Sequence, residues 1–469
     1  MDPKIVQTAE TIKTALPKVK GPLTCADVSA KSALSLRDAE VGLQYLVSEY
    51  RGHLSVTDKG EIIYLFPTGF SKPWEKIEGL ALFWSKAKSM FLAAAKFIVR
   101  AWISIVMIAY VAIFALILIG LMFGKKSDDD ERSDNGGGFA FAILMRLLAD
   151  SLFWTFHPLS PYSAGYPTSS YSRSRKNDVP FYEKVNRYFF GPEAPPHDPQ
   201  AMTKKLLALI RAKRGRIGVS DVIKVTGLSQ QQTDPVLSKL MLNYDGEVNV
   251  SDSGSIIYTF REIRKTVENT YVPEPAPIWS SREKVKPLTG NTGSNNLLIT
   301  ALNGFNLVMS TFMISQQATL VRLSFVSSGS ARMLLGYIPF AFSLFLFSFP
   351  VARWFGKSRE KQRVDRENGR RGFLFAVFNR MTSRGVSEDA IKKCWEQVSG
   401  GSQVTDKILV KEVALLGGEV EVDDQGKMVY RFKQLEGELL TLKEEREQAS
   451  ESEKNVGAVV YSTAQNLGP

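Results

Sequence analysis

Catalysis and metal binding need nucleophiles, bases or ligands within reach of one another, and this sequence keeps such residues scarce and scattered. Its 469 residues hold two cysteines, Cys25 and Cys394, and three histidines, His53, His157 and His197. A structural zinc or an iron–sulfur cluster takes about four such ligands, and no CxxC pair or Glu-x-x-His partner exists to start one. Both cysteines read as buried free thiols. Residues 128–131, three Asp and one Glu, form an acidic run in a polar loop that reads as solvated. The glycines at 136–138 lack the Lys and Ser or Thr of a phosphate cradle. No catalytic, cofactor-binding or metal-binding residue is assigned, so neither an enzyme nor a cofactor is expected.

Ionisable and polar residues of another kind sit inside apolar stretches. Arg146 and Asp150 stand four apart within 139–157, where they can neutralise each other on one helix face. Asn296, Thr300, Asn303 and Ser310 recur at helical spacing within 296–317, a seam suited to interhelical hydrogen bonds or, less simply, to a solute path.

Such groups take their meaning from the membrane segments around them. Residues 101–124 carry no charge; at 1.5 Å per residue they reach about 36 Å, enough for a hydrocarbon core of about 30 Å. Residues 333–352 form another span, with Pro339 and Pro350 as kinks or ends, while 139–157 reads as either a span or an interfacial helix. Basic clusters flank the spans, with eight basic against three acidic residues over 353–371, whereas loop 125–138 has three basic against five acidic. Under the positive-inside rule four spans place every large soluble segment in the cytoplasm with loop 125–138 outside, whereas three spans separate the first soluble segment from the next.

The soluble parts contain an internal repeat. Residues 52–66 read GHLSVTDKGEIIYLF, 246–260 read GEVNVSDSGSIIYTF and 418–432 read GEVEVDDQGKMVYRF, identical at six of fifteen positions in all three copies. Apolar and polar residues alternate on either side of an Asp-x-Gly break, the pattern of a β-hairpin whose glycine supplies positive φ. The structural wing-turn residues are Asp58, Gly60, Tyr64 and Phe66, then Asp252, Gly254, Tyr258 and Phe260, then Asp424, Gly426, Tyr430 and Phe432. Capped helical patterns precede each hairpin: 24–33 and 35–49; 203–213, 218–226 capped by Ser220, and 227–243 opening on Ser229; 387–398 and 405–416. Helices closed by a two-stranded wing predict a winged-helix-like domain, three times over.

That fold suggests DNA, and the charges argue against it. Residues 1–66 hold eight basic and eight acidic residues, 201–262 nine and six, and 372–432 eight and nine. Duplex binding draws most of its affinity from cations on phosphates. The net +11 therefore belongs to the membrane-flanking segments, where it serves topology and contact with anionic lipid.

The succession of a long span, the loop SDDDERSDNGGG, the aromatic LFWTFHPLSP, then PFYEKVNRYFFGPEAPPHDP and a domain ending Asp-x-Gly-x-Ile-x-Tyr-x-Phe resembles a family of uncharacterised bacterial and plastid membrane proteins over about residues 35–262. Some members carry names alluding to iron–sulfur clusters. Two cysteines cannot by themselves supply a four-cysteine site, so that label is not carried over.

The expectation is an α+β membrane protein with two transmembrane helical hairpins alternating with three winged-helix-like domains. Its parts are repeat 1 (1–66), a basic linker (67–96), hairpin 1 (97–160), a Pro/Tyr/Arg-rich linker (161–200), repeat 2 (201–262), a linker (263–294), hairpin 2 (295–355), a basic linker (356–371), repeat 3 (372–432) and an acidic tail (433–469) read as a short helix fraying into disorder. The expected setting is a bacterial inner (cytoplasmic) membrane, multi-pass, with the lipid bilayer and unknown proteins or self-association as partners and no nucleic acid. The expected role is a protein-interaction scaffold or assembly factor. Alternatives are a membrane-tethered DNA-binding regulator and a small-solute or ion transporter.

Overall fold

Two strands joined by a tight turn bury too little to stand alone, so each hairpin must find helices for its face and a strand for its edge. The computed structural model describes residues 3–19, 21–70, 101–119, 179–192, 198–251, 254–267, 272–315, 328–381, 385–423 and 425–464. Arg146, Asp150, Asp252, Asp424, His157, His197 and the segments 125–138 and 139–157 lie outside them.

Along the chain run α1 (Pro3–Ala15), β1 (Pro22–Leu23), α2 (Cys25–Ser32), α3 (Leu36–Glu49), β2 (His53–Thr57) and β3 (Ile62–Leu65). Next come α4 (Ala101–Ile119), α5 (Phe181–Phe190), α6 (Ala201–Ala212), β4 (Arg216–Ile217), α7 (Val219–Thr226), α8 (Gln230–Tyr244), β5 (Glu247–Val250) and β6 (Ile256–Thr259). The remainder is α9 (Gly293–Ser315), α10 (Ile338–Arg380), β7 (Val386–Ser387), α11 (Glu388–Ser399), α12 (Asp406–Leu415), β8 (Glu419–Val422), β9 (Met428–Arg431), α13 (Lys433–Gln448) and β10 (Val459–Ser462). The protein is thus a mixed α+β chain, mainly helical. It divides into two compact units, one of Met1–Lys76, Pro196–Lys284 and Gln362–Pro469, the other of Ile77–Pro195 and Val285–Lys361.

The second unit holds the apolar helices. Among the described residues three helical runs are long and apolar enough to cross a bilayer: Ala101–Ile119, Gly293–Ser315 and Met333–Arg380. Ile103, Met107, Ile108 and Val111 pack with Ile299, Leu302 and Leu346 and with one face of α5, Phe181, Val185, Tyr188 and Phe189. Sequence reading assigned α5 to a linker, yet its apolar residues recur at helical spacing. Residues 356–371, expected as linker, instead continue α10, with Pro350 inside the helix. Residues 357–380 contain no proline, and the helix that starts in the apolar segment carries Asn368, Gly369 and Gly372 within it.

In the first unit the three hairpins share one register. Tyr64 pairs with Leu54, Tyr258 with Val248 and Tyr430 with Val420. On its other side the same tyrosine pairs with Leu23, Ile217 or Val386 of a short third strand. Gly60, Gly254 and Gly426 turn the hairpins at φ of 79°, 78° and 75°, values that favour glycine. Phe66, Phe260 and Phe432 are fully buried, and each ring lies over the glycine that opens its pattern. A Cβ at Gly52, Gly246 or Gly418 would meet that ring at 2.9, 2.6 and 2.6 Å. Five of the six identical positions thus have a described role in the turn, the ladder, the ring contact or, for Asp58, a contact with the tail.

The helices begin where caps stand: Thr24 and Ser35 ahead of α2 and α3, Ser229 ahead of α8, Ser387 ahead of α11. Gly218, not Ser220, occupies the cap of α7; Ser220 is turned to the tail. One core joins Leu206, Ile210, Val222, Leu237 and Phe260 to Phe373, Trp395, Leu409 and Phe432, while Ile12, Val28, Leu43, Leu46, Tyr64 and Phe66 form a separate one.

Gly246→Ala sets a methyl against the Phe260 ring and within 3.0 Å of the Met241 Cα. The expected cost is about 1–3 kcal/mol, read as a lowered midpoint in thermal unfolding of the detergent-solubilised protein. An unchanged midpoint would refute the packing account.

Candidate interaction site

The tail does not fray. After β9 the chain enters α13, whose Leu435 and Leu442 are buried, and then forms β10. Leucines at 435, 439 and 442 gave the helical half of this away, but the charged run that follows them hid the partner.

Along α13, Glu438 reaches the start of α7. Its Oε1 accepts from the Ser220 backbone N–H at 2.8 Å and from the Ser220 hydroxyl at 2.6 Å, at a helix N-terminus whose dipole favours an anion. Burial nevertheless dominates and pushes the Glu438 carboxyl above its ordinary value. Arg446 pairs with the capping carboxylate Asp221 and donates from Nε to the Arg216 carbonyl at 3.1 Å. Glu453 accepts both terminal nitrogens of Arg216 at 3.0 Å and also binds Arg264, whose side chain is buried. Arg216 is the first cause that holds the Glu453 carboxyl below its ordinary value.

The same strip ties the first hairpin to the second. Lys265 bridges Glu61 and Glu262 at 2.5 Å each, Arg211 binds Asp27 at 3.0 Å, and the Tyr244 hydroxyl donates to the Ala33 carbonyl at 3.1 Å. Beyond it, β10 adds to the edge of the first hairpin, giving the sheet order β1-β3-β2-β10. Tyr461 pairs with Val56 and Ser462 with Ser55. Asp58 closes the contact, its N–H donating to the Ala458 carbonyl and its carboxylate accepting from the Ala458 N–H, both at 2.9 Å.

Among the described residues the other sheets have three strands each, β4-β6-β5 and β7-β9-β8. Their outer strands present exposed valines, Val250 at 69% and Val422 at 67%, against 37% for Val56 under the tail strand. Neither the tail strand nor the different fates of the three edges was readable from the repeat, because the fifteen-residue pattern is the same in each.

Cys25 faces Tyr64, its thiol 4.0 Å from the hydroxyl, and burial pushes that thiol up to about 11. Cys394 is buried in α11. His53 lies in β2 opposite Leu65. Among the described residues no group of three His, Cys, Asp or Glu side chains is arranged to hold a metal ion.

The polar residues of the apolar unit are separate from this site. Asn303 is fully buried and donates to the Ser343 carbonyl at 3.1 Å. Thr300 meets the Tyr188 hydroxyl at 3.2 Å, Asn296 binds Thr289 before α9 begins, and Ser310 is buried against its own helix. Sequence reading overlooked Asn306, which is buried and donates to the Met107 carbonyl at 3.0 Å. Its signal was the three-residue spacing from Asn303.

The chain is similar to an uncharacterized chloroplastic protein of Arabidopsis thaliana, with 21% identity over 381 residues, covering 74% of this chain and 68% of that one. No protein-family model and no solved structure matches it.

The two tail carboxylates make opposite pH predictions. A raised folded pKa at Glu438 gives stability that is present below the unfolded value of 4.5 and lost as pH rises through the folded pKa. Glu438→Gln is therefore expected to raise the unfolding midpoint at pH 8 and to leave it nearly unchanged at pH 4. A depressed pKa at Glu453 gives stability present above 4.5 and lost as pH falls through the folded pKa. Glu453→Gln should cost on the order of 2 kcal/mol at pH 7 by leaving charged donors unpaired, an effect that fades in acid. The Cys25 thiol should resist iodoacetamide at pH 8 and gain reactivity only as pH approaches about 11; fast alkylation at neutral pH would show the thiol to be open.

Proposed function

We propose that this chain is a multi-pass membrane protein holding three winged-helix-type modules on one side of the bilayer as a protein-interaction scaffold or assembly factor. The observation that carries the reading is the single soluble unit built from all three hairpin copies, two of which turn apolar wing residues to solvent. Exposed apolar strands beside unpaired edges mark surfaces that proteins cover.

Pairing within the first unit supports the shared side: Ser55 and Ser462 hydrogen-bond at 2.8 Å, and Asp27 pairs with Arg211, which agrees with an even number of crossings between one soluble stretch and the next. α4 is one crossing and α9 with the apolar part of α10 forms a pair; the candidate second span, 139–157, lies outside the described residues. Exposed Phe190, Trp354 and Phe355 suit a headgroup belt next to the basic run that starts at Arg353. In a bacterium this is the inner membrane with the modules in the cytoplasm.

Protein rather than nucleic acid is the partner class this arrangement favours. In the middle copy Arg211, Lys213 and Arg216 are engaged with Asp27, Glu274 and Glu453, so these three cations are neutralised within the protein and not directed at a phosphate backbone.

Reporter fusions after residues 66, 262 and 432 should all report the cytoplasm; any one on the far side would end the shared-face reading. Affinity capture of the tagged full-length protein, cross-linked in its own membrane, should recover the same defined set of proteins in repeat preparations. Recovery of the tagged chain alone would dismiss the scaffold.

A further inference from the structure

We propose that the β5 edge of the second hairpin is a strand-addition site for an extended, uncharged partner segment with β-branched and aromatic side chains, of the kind that β10 supplies to the first hairpin. The proposal deepens the scaffold reading and rests on it. The molecule itself shows the mode of binding. On β2 it is Leu54 and Val56 whose backbone faces outward: the Thr463 N–H donates to the Leu54 carbonyl at 2.9 Å, and the Leu54 N–H donates to the Thr463 hydroxyl at 2.9 Å. By register, Val248 and Val250 are the counterparts on β5, each opposite the residue of β6 that answers to the one opposite Leu54 or Val56. Among the described residues their strand has one neighbour, β6. The apolar strip Val248, Val250 and Ile256 is 45%, 69% and 42% exposed.

Charge separates the three edges. The residues alternating with the strip are His53, Ser55 and Thr57 in the first hairpin, Glu247, Asn249 and Ser251 in the second, and Glu419, Glu421 and Asp423 in the third. An edge lined by charge resists another strand, whereas a neutral one accepts it. The first edge is neutral and occupied. The third carries three carboxylates, two of them held by Lys433 and Arg431, and is protected. The second carries a single Glu at its start, so it is the open acceptor. The occupant has the chemistry of Val459–Ser462: an aromatic side chain to stand opposite a strip valine, as Tyr461 stands opposite Val56, β-branched neighbours, and no charge to bury beside Glu247.

The test uses full-length protein in detergent, with its tail in place, and a fluorescent synthetic peptide with the sequence of residues 456–464. Saturable binding by fluorescence anisotropy is expected, weakened at least tenfold by Val250→Lys, an exposed position whose change leaves the core intact. Val422→Lys and Val56→Lys should leave it unchanged. Absence of saturable binding, or equal binding by Val250→Lys, overturns the proposal. So does binding lost with Val56→Lys instead, which would mean exchange with β10. A dimer by light scattering that Val250→Lys converts to monomer would also overturn it, assigning the edge to a second copy. If the edge fails while cross-linked capture from the membrane still yields the same partners with Val250→Lys, the scaffold reading stands without this site.

Discussion

An unpaired β edge beside an apolar face is unstable in water, and this protein meets that constraint three times. Each hairpin is closed on one side by a two-residue strand and on its inner face by helices, with the wing phenylalanine seated over the opening glycine. What differs is the outer edge. The first is completed by the tail, the third is lined with carboxylates, and the second remains open. The architecture of the soluble unit follows from these three treatments of one problem.

The tail is held by opposing electrostatics. Glu453 gains from Arg216 and Arg264, whereas Glu438 is buried at a cost that its hydrogen bonds to Ser220 only partly offset. A buried carboxylate placed at a helix N-terminus contributes position more than stability. It fixes α13 across α7, and that fixes where the chain can next reach the first hairpin.

Much of this was legible from residue patterns. Hairpin turns were given by Asp-x-Gly, helix starts by Thr24, Ser35, Ser229 and Ser387, and α4 and the apolar part of α10 by runs without charge, because each is determined by a few neighbouring residues. The illegible parts are long-range. Ser220 looks like a cap until Glu438 is brought to it from 218 residues away. Residues 356–371 look like a linker because their charges resemble one, although charge does not stop a helix that is already formed. The repeat, by its very regularity, concealed that one copy has a partner strand and the others do not.

The pairing of β10 with β2 also sets a timetable for biosynthesis. Ser55 and its partner Ser462 are 407 residues apart, so a ribosome moving at about 5–20 residues per second leaves the β2 edge without its cover for roughly 20–80 s. During that interval the apolar helices are being synthesised. The first hairpin therefore presents an open acceptor edge until Val459–Ser462 has been synthesised, and only then is its sheet complete.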